Sequence, residues 1–245
     1  MIENIIIGQN SLITKHLSKN LKDRTIFSAN KLNEEDLNKI KEKKKINLIF
    51  NNFYPSKNLN SLNTKDYKKF CELSLEKISM ILEKVPSFKI DKIIYTSSAS
   101  VYRVPENLSS QENDKFNREL YSTFKLAAEK MILNFANKKR KNYYILRLFN
   151  IYGDPKDKFS FIEKIIRSKK RNQKINLINN GNSIRDFIHI KDIAQIYKLL
   201  LEKKTKKGIY DLGTGKGYLI KDIIDYSDFA KSKILGSKTL TIRRS

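Results

Sequence analysis

Short, apolar, β-rich runs alternate with amphipathic helical patterns along almost the whole chain, and this alternation restricts the fold more than any other feature. The runs are "NIIIG", "RTIFSA", "INLIFNN", "KIIYTSS", "YYILRLFN" and "IYDLG". They are nearly continuous in apolar character, so each is expected to be covered on both faces, as strands of a parallel sheet are. Helical spacing lies between them near residues 11 to 22, 34 to 44, 64 to 85, 117 to 137 and 191 to 203. In the third helix, Tyr67, Phe70, Leu75, Ile78, Ile81 and Leu82 form a stripe that reads as core packing. The expected class is α/β, a doubly wound parallel sheet with helices on both faces. No internal repeat and no Pro/Gly/Ser-rich linker divides the chain into autonomous domains. With 245 residues and 40% apolar content, it can bury one sizeable core.

Open parallel sheets bind ligands at the carboxyl ends of their strands, and the candidate residues gather there. The first run leads into "GQNSLITKHL", where Gly8 begins a turn and Leu12, Ile13 and Leu17 mark the buried side of the next helix. A dinucleotide pyrophosphate would rest on that helix's N-terminus. The glycine pattern is incomplete, with Ser11 and Thr14 in place of the second and third glycines. Ser11 is small and able to donate to phosphate; Thr14 is expected to hold the helix farther from the sheet. About twenty residues past Gly8, where a carboxylate commonly receives the adenosine ribose, stand Ser28, Asn30 and Lys31. A preference for NAD over NADP is therefore not legible at that position.

Two further stretches carry chemistry. "IIYTSSASVY" opens into the hydroxyls of Thr96, Ser97, Ser98 and Ser100, of which Ser98 is the candidate to hold a substrate oxygen; such hydroxyls also serve turns. In "ELYSTFKLAAEK" one helical turn separates Tyr121 from Lys125. A cation beside a phenol is expected to lower its pKa from about 10 toward the range useful for proton transfer. For an isolated pair the simpler reading is a packed tyrosine beside a solvated lysine, and only the surroundings decide between the two.

Taken in order, "GQNSLIT", "TSSASVY", "YSTFKLAAEK", "RLFNIYGDP", "RDFIHIKDIA" and "YDLGTGKGYLIKDI" resemble the extended short-chain dehydrogenase/reductase superfamily. Within it, the match is to the NAD-dependent epimerase/dehydratase family, which acts on nucleotide sugars. The resemblance implies a Rossmann-type domain over residues 1–150, rejoined by about 185–214, with a small substrate lobe from 151–184 and 215–245. It implies Tyr121 as the proton-transferring residue, Lys125 lowering its pKa and holding the nicotinamide ribose, and Ser98 orienting the sugar oxygen. Cofactor contacts would come from Gly8, Asn10, Ser11, Leu12, Ile13, Ser28, Asn51, Asn52, Tyr121 and Lys125. Asn150 would lie near the substrate phosphates and Arg185 would clamp the diphosphate through its planar fork of donors. His189 and Asp192 would support structure.

The implied cofactor is NAD or NADP, with NAD favoured, the implied substrate a nucleotide-activated sugar, and a homodimer through two long helices is implied as well. The chain departs from the pattern in three places. Ser74 falls where the family often has asparagine, the segment from Arg24 to Asn52 is compressed as in the dTDP-4-dehydrorhamnose reductase branch, and the chain stops early at "TLTIRRS". An NADPH-dependent keto-sugar reductase and a non-catalytic nucleotide-sugar or dinucleotide-binding protein are the alternatives.

A net charge of +24 would suit an anionic partner, but the lysines are spread over the whole chain as solvated faces are, so nucleic acid and membrane insertion are not expected. One cysteine excludes an internal disulfide framework, and two histidines make a Cys/His metal site unexpected. The N-terminus lacks a basic region followed by an apolar stretch, and no run of about 18 apolar residues occurs, so a cytoplasmic protein is expected.

Overall fold

The computed structural model describes residues 2–51, 64–103, 116–175, 177–225 and 241–244. In chain order the strands are β1 (Glu3–Ile7), β2 (Arg24–Phe27), β3 (Ile46–Phe50), β4 (Ile90–Ser98), β5 (Asn142–Leu148), β6 (Asn150–Tyr152), β7 (Ile184–Arg185), β8 (Phe187–His189), β9 (Gly208–Gly213), β10 (Tyr218–Leu219) and β11 (Thr241–Arg244). The helices are α1 (Leu12–Leu17), α2 (Glu34–Glu42), α3 (Thr64–Cys71), α4 (Lys77–Lys84), α5 (Phe116–Lys138), α6 (Phe161–Lys170), α7 (Ile190–Glu202) and α8 (Ile220–Asp225). A π-helical turn, Glu72–Glu76, joins α3 to α4.

Seven strands form the central sheet in the order β11-β9-β5-β4-β3-β1-β2. All pairings in it are parallel except that of β11 with β9. This is the Rossmann-type sheet expected from the sequence, and its chain order reverses between β1 and β3. Near-continuous apolar strands serve two cores at once, because successive side chains point to opposite faces. Ile5, Ile7, Leu48, Phe50, Ile93 and Tyr95 face one core, which α2, α4 and α5 close with Leu37, Ile40, Ile78, Ile81, Ala128 and Ile132. Ile6, Ile49, Ile94 and Leu146 face the other, closed by Ile13 and Leu17 of α1 and by Ile193, Ile196, Tyr197 and Leu200 of α7.

Local signals set the helix boundaries. At the start of α2, the Asn33 side chain accepts from the backbone N–H of Asp36 at 3.0 Å, and Asp36 accepts in return from that of Asn33 at 3.4 Å. The α3–α4 stripe holds for Phe70, Ile78, Ile81 and Leu82, whereas Tyr67 is 43% exposed one turn earlier. Ser74, in the π-helical turn, is wholly buried.

Some elements were not anticipated. β6 pairs with β8, and β7 with β10, in two small sheets beside the main one. Together with α6 and α8 they enclose a third apolar cluster around Ile162, Ile165, Phe187 and Ile223. The tail, expected in the substrate lobe, instead supplies β11 to the edge of the main sheet in its last described residues. Among the described residues no helix is long and apolar enough to cross a membrane.

One buried charge ties β4 to α7. Lys92, 8% exposed, donates to the carbonyls of Leu200, Leu201 and Lys203 at 2.7, 2.9 and 3.1 Å, satisfying the carboxyl end of α7. Replacing it by methionine leaves those carbonyls without a charged donor. Lys92→Met is expected to lower stability by about 1.5–3 kcal/mol, read as an earlier urea midpoint.

Candidate active site

A cleft of about 780 Å³ runs along the carboxyl edge of the sheet. Its lining follows the strand order: Ser28, Ala29 and Asn30 after β2, the Gly8–Ile13 turn after β1, Asn51 after β3, Thr96 to Ser98 at the end of β4, and Leu148, Phe149 and Ile151 around the end of β5. Tyr121 and Lys125 of α5 close one end. Gly8 has φ +117°, a backbone conformation that a side chain disfavours, and this turns the chain sharply from β1 toward α1.

Tyr121, Lys125 and Ser98 come together. The Ser98 hydroxyl lies near enough to the Tyr121 phenol to favour its ionised form. It also accepts from the backbone N–H of Ser100 at 3.2 Å, so its position is set by the strand-to-loop turn. Lys125 is 4% exposed, and its Nζ donates to the Thr96 carbonyl at 2.7 Å. The same nitrogen lies 5.0 Å from the Tyr95 ring centre and 5.9 Å from that of Tyr121. The packed-tyrosine, solvated-lysine reading therefore does not describe this pair.

The expected direction of the tyrosine shift is not the one found. Burial pushes the phenol up to about 12, with the Ser98 hydroxyl pulling the other way. Burial also brings the Lys125 ammonium down to about 7, opposed by the charge of Glu129. Sequence spacing put a cation beside the phenol correctly, but removal of both groups from water outweighs their proximity. The ammonium donates to the Thr96 carbonyl and lies over the Tyr95 and Tyr121 rings.

Thr14, expected to push α1 outward, is instead used. It is 1% exposed, and its Oγ1 accepts from the Asn51 amide at 3.0 Å, bridging α1 to the end of β3. The Asn51 Oδ1 accepts from the Thr96 hydroxyl and, at 3.4 Å, from Tyr197. Thus a residue larger than the usual glycine and another larger than the usual small residue satisfy each other under the cleft.

The Asn150 amide donates to the Asp186 carbonyl at 2.8 Å, and Arg185 donates to the Ile184 carbonyl at 2.8 Å; neither lines the cleft. Asp186 in turn accepts from the backbone N–H groups of Thr214 and Gly215 at 2.9 and 2.8 Å, bracing the loop after β9. His189 is structural in this geometry, its Nδ1 accepting from the Lys191 N–H at 3.1 Å at the start of α7. Asn52 lies outside the described residues.

The far wall, Lys156 to Phe159, carried no motif in the sequence. It hangs from Gly153, where any Cβ would meet the His189 ring at 2.2 Å, and from Asp154, paired with His16 of α1 at 3.0 Å. Asp157 accepts from the Phe159 N–H at 2.8 Å, and Arg167 donates to the Asp157 carbonyl at 2.8 Å. The "YGDP" turn signal was the only hint that a loop at this place returns to α1.

The model of the NAD dependent epimerase/dehydratase family matches residues 3–213. The chain belongs to that family. A putative UDP-glucose 4-epimerase of Methanocaldococcus jannaschii is 33% identical over 59% of this chain and 48% of its own length. A dTDP-D-glucose 4,6-dehydratase of Dictyostelium discoideum is 28% identical over 77% of this chain and 46% of its own length. The chain thus spans about half the length of these curated relatives. Among solved structures, the UDP-glucuronic acid 4-epimerase of Bacillus cereus, in complex with UDP-glucuronic acid and NAD, superposes with TM-score 0.73 at 19% identity, covering 95% of this chain and 84% of that one. The UDP-N-acetylglucosamine 4-epimerase of Methanobrevibacter ruminantium gives 0.72 at 20% identity, covering 95% and 83%. These structural likenesses establish the shared fold.

The cleft fits the family's dinucleotide. Its volume lies within the range of about 300–1,000 Å³ usual for small-molecule sites. It is elongated across the ends of five neighbouring strands, and the Ser11 side chain at its centre makes no capping bond within α1. The Thr14–Asn51 bridge beneath it is testable by a double-mutant cycle. Thr14→Ala and Asn51→Ala are each expected to lose about 1–3 kcal/mol in urea unfolding, and the double variant less than the sum, since the second change removes a partner already lost.

Proposed function

We propose that this family member binds NAD along the cleft and acts as an epimerase or dehydratase on a nucleotide-activated sugar. The observation that carries the reading is the meeting of Ser98, Tyr121 and Lys125 in a cleft that the Gly8–Ile13 turn also lines. Lys15, Lys156 and Lys158 line it against one carboxylate, Asp157, a balance suited to ligands rich in phosphate. The names of the relatives supply the nucleotide-sugar class. A homodimer belongs to the same proposal.

A bound nicotinamide supplies the hydride acceptor and, when oxidised, a positive charge. In the proposed roles, Tyr121 takes the proton of a sugar hydroxyl while Ser98, beside the phenol, holds the same oxygen. Lys125 holds the nicotinamide ribose. A phenol kept near 12 is protonated at neutral pH, so it serves as a base only when positive charge gathers beside it. Proton transfer is thereby tied to a filled cleft. Tyr121→Phe is expected to reduce kcat by roughly 10²–10⁴-fold and to change NAD affinity far less, measured by coupled turnover and fluorescence titration. Full activity of that variant would remove Tyr121 from the proton transfer, and NAD binding by the unaltered protein without turnover of any sugar tested would replace this reading with a binding role.

No carboxylate lines the cleft at Ser28–Asn30, so NADP is titrated beside NAD, and net NADPH consumption would identify a keto-sugar reductase. The pH dependence follows from Lys125. Its cation is present below about 7 and lost above, and a ligand carrying two phosphates favours the cation. NAD affinity is expected to weaken as pH rises through about 7, and Lys125→Met to bind more weakly with that step gone, both read by titration at successive pH values.

A further inference from the structure

Glu129 stands one helical turn beyond Lys125 on the same face of α5, in the series Tyr121, Lys125, Glu129. It is 1% exposed, yet it is held by three donors. The Ser97 hydroxyl donates to Oε1, Arg147 Nε donates to Oε1 at 3.0 Å, and Arg147 Nη2 donates to Oε2 at 2.7 Å. Arg147 is itself backed by the Tyr102 ring at 4.7 Å, and the Tyr102 hydroxyl donates to Asp211 of β9 at 2.6 Å. A buried ion pair is weak as a source of stability, because taking both charges from water offsets most of their attraction. Its placement calls for another reason.

That placement joins the elements that carry the reactive groups. Ser97 lies between Thr96, whose carbonyl holds the Lys125 ammonium, and Ser98, whose hydroxyl meets Tyr121. Glu129 therefore pins α5 to β4 between two site contacts, and to β5 through Arg147. We propose that Glu129 is a positioning residue for Lys125: clamped by Ser97 and Arg147, its carboxylate holds α5 against β4 so that the ammonium stays at the Thr96 carbonyl at the edge of the cleft. The inference rests on the proposed use of Lys125 and adds a residue to it.

The surroundings of the ammonium support this. From β4 it meets the Tyr95 ring and the Thr96 carbonyl, and from α5 the Tyr121 ring and the charge of Glu129. The π-helical turn packed on α5 brings Leu73 and Ser74, which carry no charge. Arg147 stands behind Glu129, and burial of Lys125 works against its charge while Glu129 works for it.

The test follows the ionisation of Lys125 itself, so it does not require that a dinucleotide bind. Protein labelled with ¹³C at lysine Cε is titrated between about pH 5 and 10, and the Lys125 signal is assigned by its loss in Lys125→Met. In Glu129→Gln the midpoint is expected to fall below the value of about 7 in the unaltered protein. Glu129→Gln leaves the Arg147 cation buried without its partner, so Glu129→Gln with Arg147→Met, which removes both charges, is measured beside it. A lower midpoint in the folded variants supports the proposal; an unchanged midpoint in either one overturns it. NAD titration of the unaltered protein is run in parallel. Absence of NAD binding there, with the midpoint shift present, rejects the proposed function and leaves the electrostatic role of Glu129 standing.

Discussion

Parallel pairing of six strands is the constraint on which the rest of the structure depends. Because βαβ connections run the same way, every one of those strands ends at one edge, and every connecting helix must cover one face or the other. Side chains of β1, β3 and β4 accordingly divide between two apolar cores, and no strand face is left for solvent at the centre of the sheet. The loops that follow β1, β2, β3, β4 and β5 are then neighbours in space, although they begin at residues as far apart as Gly8 and Phe149. A single elongated ligand can touch all of them.

At that edge the polar groups are arranged by desolvation as much as by proximity. Tyr121 and Lys125 are both driven toward their uncharged forms by burial. What opposes this is local and specific: the Ser98 hydroxyl for the phenol, the Glu129 carboxylate for the ammonium. Glu129 in turn is held by the bidentate Arg147 and by Ser97, and Asn51 draws Thr14, Thr96 and Tyr197 into a second network below the cleft. Each buried polar side chain in these networks finds partners on a different element, so together they lock α1, α5 and α7 to the ends of β3, β4 and β5.

Much of the site was legible because its parts obey short-range rules. The Gly8 turn, the Ser98 hydroxyl at a strand end and the Tyr121–Lys125 spacing are each visible within a few residues, and the structure gathers them at one cleft. Asn150 and Arg185 were assigned from resemblance, and here the amide of one and the guanidinium of the other each donate to a backbone carbonyl. Nothing within a few residues of either tells which surface it will face. The wall at Lys156–Phe159 escaped notice for a related reason: its position depends on the hydrogen bond between His16 and Asp154, 138 residues apart in the chain.

The sequence alone determined the alternation of strand and helix, the parallel sheet, the carboxyl-edge location of the site and the pairing of phenol with ammonium on one helical face, since all of these follow from periodicity and near-neighbour spacing. Only the tertiary structure decided that Thr14 and Asn51 bridge each other, that β11 extends the main sheet and that burial raises the Tyr121 phenol instead of lowering it. Those outcomes depend on which distant residues exclude water from a group and which offer it a hydrogen bond, and neither is set by the residues beside it in the chain.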